Sequence, residues 1–214
     1  LTNGYASTQA VSGASGTNMS IYINTDNAVT FNGVSSVTSA DVVASNGIVH
    51  IVDAVIGLPS VVTFALADPN FSSLVQALTA YDYPQSFVGL LSIPAGSAPS
   101  PFTVFAPVNS GFESLLDELA VNSLYDIGEQ TLGAVLSYHV VVSVNQISNT
   151  LSGGMVITTS LAQANPSIAD LTFNFGDNGE GILTDNNGRT SNIIAVDIQA
   201  DNGIIHAIDT VVLP

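Results

Sequence analysis

Residues 40–59 read ADVVASNGIVHIVDAVIGLP, and residues 196–214 read VDIQADNGIIHAIDTVVLP. Asp41 aligns with Asp197, Ala44 with Ala200, Asn46-Gly47 with Asn202-Gly203, His50 with His206 and Asp53 with Asp209. Past one extra residue, Gly57, Pro59 aligns with Pro214. A motif returning at fixed offsets means that the chain is assembled from copies of one unit, and this limits its fold more than any other feature. Leu1-Thr2-Asn3-Gly4 resembles Leu151-Ser152-Gly153-Gly154 more weakly, which sets a unit of about 150 residues. The expected organisation is therefore the closing part of one domain over 1–59 and a complete domain over 60–214, with the boundary near Pro59-Ser60.

Within the complete unit the texture changes from helices to strands. Asp68 as N-cap and Pro69 at the first helical position predict a helix over 68–80, with Phe71, Leu74, Val75 and Leu78 on one face. A short strand over 102–105 leads through Pro107 to Asn109, the expected N-cap of a second helix carrying Phe112, Leu115, Leu116 and Leu119. A third helical pattern covers roughly 125–138. From His139 onward, β-branched segments at 139–144, 155–159, 171–175, 192–198 and 204–212 read as strands. Turns separate them at Ser152-Gly153-Gly154, Asp177-Asn178-Gly179, Asn186-Asn187-Gly188 and Asp201-Asn202-Gly203. Helices followed by a run of strands predict an α+β fold.

Charge removes several function classes. The chain has no Lys, one Arg (Arg189) and 17 acidic residues, a net charge of −16. Binding phosphate backbones or anionic membranes requires Lys and Arg to displace counterions, so nucleic acid and acidic lipid surfaces are not expected partners. Hydrophobic residues make up 46%, enough to build a core. The longest apolar stretch, 47–67, is broken by His50, Asp53 and Pro59 and is not expected to span a bilayer. Without cysteine there is no disulfide framework and no thiolate metal site. Acidic, disulfide-free chains suit bacterial and marine extracellular proteins, although an acidic cytosolic protein would share the composition.

Residues that could carry chemistry are few. His50, His139 and His206 lack a second histidine at chelating spacing, so structural hydrogen bonding is the expected role and no metal is expected. Gly33-Val34-Ser35-Ser36-Val37 lacks the closing glycine of a nucleophile elbow. No phosphate-binding or dinucleotide fingerprint is present, so no cofactor and no enzymatic activity are expected. Asp117-Glu118 are adjacent on a helix surface and do not converge. The acidic segment 177–188 lacks the alternating ligands and final Glu of a calcium loop, and hairpin turns are the preferred reading over weak calcium binding.

Three segments resemble the signatures of fasciclin domains: TVFAPVNSGF (103–112), Tyr138-His139-Val140-Val141, and NGIIHAIDTVVLP (202–214), with NGIVHIVDAVIGLP (46–59) as a second copy of the last. SVVTFALADPNFSSLVQAL (60–78) is similar to the usual opening of the next tandem domain. The resemblance implies a fasciclin-like α+β wedge, with N-terminal helices and a C-terminal run of strands, in an extracellular, secreted or cell-surface protein. It implies an adhesion or binding module whose partners are other cell-surface or matrix proteins or glycans, with self-association. A structural subunit of a fibre or sheath, its first domain completed by a neighbouring chain, is the alternative. It also implies an adhesive role for Tyr138, His139, Asp197 and Ile198, and for Asp41 and Val42 in the first copy. For Ile198 and Tyr138 the preferred reading is that they are core residues.

With 17 acids against one Arg, like-charge repulsion is expected to govern the surface field. Sodium chloride at ~0.15 M, which screens over about 8 Å, should therefore raise the melting temperature. A fall in melting temperature across a salt series would show that repulsion is not the controlling term.

Overall fold

The computed structural model describes residues 1–168 and 170–214. The first 59 residues form a five-stranded antiparallel meander with strands in chain order: β1 (Gly4–Val11), β2 (Asn18–Asn24), β3 (Thr30–Phe31), β4 (Ser35–Ala44) and β5 (Gly47–Val52). The remainder opens with helices α1 (Val61–Ala67), α2 (Ser72–Leu78) and α3 (Phe87–Leu91). Strand β6 (Phe102–Pro107), helices α4 (Asn109–Leu119) and α5 (Glu129–Tyr138) and strand β7 (Val140–Val142) follow. Strand β8 (Met155–Ile157), helix α6 (Ser160–Ala164) and strands β9 (Leu171–Phe175), β10 (Gly181–Thr184), β11 (Thr190–Gln199) and β12 (Gly203–Ile208) complete it. Their seven-stranded sheet has the order β7-β6-β12-β11-β10-β9-β8, antiparallel except where β12 runs parallel to β6. The α+β expectation is met.

Strand β6 is buried at all six positions because both of its faces are covered. Alternation sends Phe102, Val104 and Ala106 into a core shared with Phe64, Phe71, Phe112 and Leu132 of the helical layer. Phe105 points the other way, into a second core with Tyr138, Leu171, Phe173, Leu183 and Ile208. The parallel approach of β12 is close. A Cβ added at Gly203 would stand 2.4 Å from the carbonyl oxygen of Phe102, so only glycine fits there.

Several local expectations are corrected. The helix expected over 68–80 is a single 3-10 turn (Pro69–Phe71) followed by α2, and α1, which precedes it, was not expected at all. Asp68 does cap, accepting from the Asn70 N–H at 3.0 Å, but it caps that short turn. Helix α1 is held by a reciprocal cap: Ser60 Oγ accepts from the Thr63 N–H while Thr63 Oγ1 accepts from the Ser60 N–H. Asn109 is not the N-cap of α4. Val108 occupies that position, and the Asn109 side chain instead accepts from the Ser73 N–H at 2.9 Å and donates to the Pro69 carbonyl at 2.9 Å. It joins α4 to the entry of α2, a tertiary role.

The first sheet packs against the second unit mainly through its β1–β2 end. Tyr22 enters the helical core, and Tyr5 meets Phe64 edge-on at 5.5 Å and donates to Asp68 at 3.0 Å. Ser12 donates to the Ala200 carbonyl, and the Gly13 N–H donates to the Asp201 carboxylate at 2.9 Å.

Overpacking at Gly203 should be costly: Gly203→Ala is expected to destabilise the protein by about 1–3 kcal/mol. Gly47→Ala, at the repeat-equivalent position, should be near neutral, because a Cβ there meets nothing within 4 Å. Urea titrations of the two variants check the contrast, and equal effects would contradict it.

Candidate functional site: the two histidine hairpins

The repeat places the same hairpin twice, β4–β5 and β11–β12. In each, the long strand carries a bulge: pairing shifts between Ser39/Ile51 and Val42/Val49 in the first, and between Ala195/Ala207 and Ile198/Ile205 in the second. At each bulge an aspartate takes a left-handed conformation, Asp41 and Asp197 both at φ 58°. Asp is among the few non-glycine residues that tolerate this region. The ring of the partner-strand histidine then accepts the bulge amide at Nδ1. The Asp41 N–H reaches His50 at 3.3 Å and the Asp197 N–H reaches His206 at 3.4 Å. The sequence carried this signal as an Asp and a His nine residues apart in both copies, and strand alternation alone could not reveal it.

Around β11–β12 the constellation is complete. His206 Nε2 donates to the Gln146 carbonyl at 2.8 Å, and the ring stacks on Phe105 at 5.7 Å. The Asp197 carboxylate accepts from the Ser148 N–H at 2.8 Å and from the Ser148 hydroxyl. Ser148, Asp197 and His206 are the residue types of a hydrolytic triad in a non-catalytic order. The serine gives its proton to the aspartate, the histidine meets the aspartate's backbone, and its other nitrogen is spent on a carbonyl. Burial pushes the His206 pKa below its usual value, against the opposing pull of Gln146 and Asp197. His139 is also buried: it faces the Val135 carbonyl at 2.8 Å through Nδ1 and accepts the Val212 N–H at Nε2. Desolvation brings its pKa down to about 4.

The six residues given an adhesive role divide sharply. Tyr138, His139 and Ile198 are buried, with Tyr138 and Ile198 in the two cores as the core reading holds. Asp197 is half-buried and engaged with Ser148, while Asp41 and Val42 lie exposed in the first copy. The segment 177–188 spans two hairpin turns and β10 between them. There Glu180 accepts from the Asn178 N–H, and buried Asp185 accepts from the N–H groups of Asn187, Arg189 and Leu213. Among the described residues no group of three or more His, Asp or Glu side chains is placed to hold a metal. An open groove of about 470 Å³ beside α3 and α5 is lined by Tyr83, Phe87, Leu90, Glu129 and Ser137, with the Ser137 hydroxyl committed to the Gly133 carbonyl.

Neutral, buried histidines make stability depend on pH. The His139 pKa is depressed on folding, so its contribution is full above its unfolded value of about 6.5 and is lost as pH falls toward 4. The loss from His139 should reach about 3 kcal/mol, and His206 adds to it in the same direction. Urea titrations between pH 7.5 and pH 4.5 check this, and a flat profile through that window would contradict it.

A family model described as "Fasciclin domain" matches residues 1–59 and 69–214. An uncharacterized protein of the cyanobacterium Synechocystis sp. is 33% identical over 156 residues, covering 73% of this chain and 98% of that protein. Human periostin is 29% identical over 190 residues, covering 86% of this chain and 20% of periostin. A solved domain pair from the insect cell adhesion molecule fasciclin I superimposes with a TM-score of 0.60 at 22% identity, covering 92% of this chain and 68% of that one. The motifs, the α+β architecture and the family match agree: the chain belongs to the fasciclin domain family.

Proposed function

We propose that this chain is an extracellular or cell-surface adhesion module without catalytic activity, binding matrix or cell-surface proteins or glycans. The observation that carries the reading is the Ser148–Asp197–His206 cluster. Every group in it that could move a proton is committed to a structural partner, and His206 has no exposed surface. What the cluster does is hold the β11 bulge, and the same strand carries Ile194 and Val196, each about half exposed. Exposed aliphatic side chains on a rigid, hydroxyl- and amide-rich sheet suit recognition better than chemistry. Tyr138, His139, Asp197 and Ile198 then serve adhesion by stabilising the unit that carries this surface. Likeness to a domain pair from a cell adhesion molecule supports the same reading. Among the described residues no helix is long and apolar enough to cross a membrane.

A second reading, a subunit of an extracellular fibre or sheath, is supported by the exposed apolar side chains of β4 and β5. Light scattering separates the two, because only the fibre predicts assemblies that grow with concentration.

Attachment of cells or matrix-coated beads to immobilised protein tests the adhesion reading. The double variant Ile194→Ser, Val196→Ser should lower attachment several-fold with an unchanged melting temperature. Attachment no better than to albumin would refute the proposal.

A further inference from the structure

Asn-Gly pairs begin at Asn3, Asn32, Asn46, Asn178, Asn187 and Asn202. An asparagine followed by glycine can modify itself. The backbone nitrogen of the glycine attacks the side-chain amide carbon, a five-membered ring closes, and ammonia leaves with the proton that the nitrogen gives up. Solvent water then opens the ring at either carbonyl, leaving aspartate or isoaspartate. Glycine favours the step because no Cβ crowds the approach and the backbone is free to turn. Two things are needed: a side chain that can fold back on the main chain, and a backbone nitrogen free to meet it.

The fold withholds one or both from four of the pairs. Asn202 is 1% exposed, and its amide is bonded at both ends, to the Leu91 and Ile93 carbonyls and the Val61 N–H. Asn32 is buried and accepts from the Tyr22 N–H at 2.8 Å, and Gly33 lies close against Ala67. Asn3 donates to the Asp26 carboxylate at 2.6 Å and accepts from the Thr25 hydroxyl at 2.7 Å. Asn46 is exposed, but Gly47 after it is the first rung of β5, paired with Ala44.

Asn178 and Asn187 are placed otherwise. They stand in turns on either side of β10, both exposed, and among the described residues neither side chain makes a hydrogen bond. Gly179 and Gly188 take left-handed conformations at φ 85° and 80°, and a Cβ added at either would meet nothing within 4 Å. The Gly179 N–H donates to the Gly176 carbonyl at 3.0 Å and the Gly188 N–H to the Asp185 carbonyl at 3.1 Å. Opening one exposed turn therefore releases both reactants. At Asn202 the same freedom requires parting β12 from α1 and from the loop after α3, a far larger opening.

We infer that Asn178 and Asn187 are sites of spontaneous deamidation in the folded protein. At Asn178 the product adds a carboxylate between Asp177 and Glu180, whose own carboxylate accepts the Asn178 N–H, so the change there is one of surface charge. At Asn187 the isoaspartate product reaches further. It routes the main chain through the former side chain and inserts a methylene between the Asn187 and Gly188 nitrogens. Buried Asp185 accepts from the Asn187 and Arg189 N–H groups at 2.9 Å each. The added length moves the second donor away from that carboxylate, and Arg189 is the residue that bridges to Glu118 of α4. The isoaspartate form loosens the β10–β11 turn, and plain aspartate leaves it closed.

The test is to age the folded 1–214 chain in mildly alkaline buffer, digest it with pepsin and map the peptides by mass. Labelling with an isoaspartyl methyltransferase scores the isoaspartate. Asn178 and Asn187 are expected to convert at least about tenfold faster than Asn32 and Asn202, and in urea the difference should vanish. Amides at 178 and 187 that last as long as that of Asn202 would overturn the assignment. A difference that persists in urea would also overturn it, because selectivity would then lie in the neighbouring residues and not in the fold. The consequence has its own readout. The Arg189 amide should exchange with solvent several-fold faster in the purified isoaspartate-187 form, and Asn187→Asp should leave it unchanged. Equal exchange in the two would overturn the link to the β10–β11 turn. None of these outcomes depends on whether the protein mediates attachment.

Discussion

Parallel pairing of β12 with β6 is the interaction on which the rest of residues 60–214 depends. Six residue pairs, from Gly203 beside Phe102 to Ile208 beside Pro107, lie in register, and every residue of both strands is buried. Two hydrogen bonds close its ends, Phe102 N–H to the Asn202 carbonyl and Val108 N–H to the Ile208 carbonyl. The pairing separates the two cores and gives each a floor. It also joins segments far apart in sequence, so the loop-closure entropy between them must be met before its contacts form. Asn202 extends the effect beyond the sheet. By binding the Leu91 and Ile93 carbonyls and the Val61 N–H, one amide side chain ties the turn before β12 to the loop after α3 and to the start of α1.

The duplicated hairpin separates what is local from what is tertiary. The bulge, the left-handed aspartate, the histidine cap on its amide and the Asp53 or Asp209 link recur in both copies. They recur even where no helical layer lies beneath, so they arise from the hairpin's own sequence. Full burial of the histidine and the Ser148 contact appear in one copy alone and belong to the packing of 60–150 against it. A histidine in this family position is thus a hairpin brace first. Its full burial follows only when the opposing half is present.

Much of this was legible in the residues. The α+β class followed from helical periodicity giving way to β-branched runs, and 171–175 was read with its observed ends because Leu171 and Phe173 alternate with polar positions. The misses share one cause, side chains whose partners are distant. Helix α1 begins Val61-Val62-Thr63, residues of weak helix propensity, and exists because Val61, Val62, Phe64 and Ala65 are buried and Ser60 and Thr63 cap it. Asn109 has the chemistry of a cap, but its amide bonds to Ser73 and Pro69 across helices. Strand β10 escaped notice because Gly181–Thr184 is short and lies between two turn-rich segments. At the candidate site, resemblance drew attention to Tyr138, His139 and Ile198, all of them buried, with Ile198 in one core and Tyr138 in the other.

The lack of basic residues raises the question of how the folded chain accommodates its acids, and the hydrogen bonds answer it. Asp185 is buried against three backbone N–H groups; Asp209 takes the Asn192 N–H and amide; Asp68 takes the Asn70 N–H and the Tyr5 hydroxyl. These hydrogen bonds hold the Asp209 pKa low even though partial burial pushes it upward. Carboxylates satisfied by amide donors need no counter-charge, and bonds of this sort are stronger than neutral ones. The single Arg189 follows the same economy. It bridges Glu118 of α4 and lies 3.5 Å from Asp185, so one cation fastens the β10–β11 turn to the helical layer. Acids that are structurally important are thus held by short-range, sheltered contacts, while the remaining exposed acids interact mainly through screened repulsion. Salt acts on the second set and leaves the first intact. An acidic, lysine-free surface can therefore coexist with a specific fold, because specificity here rests on amide donors and aliphatic packing.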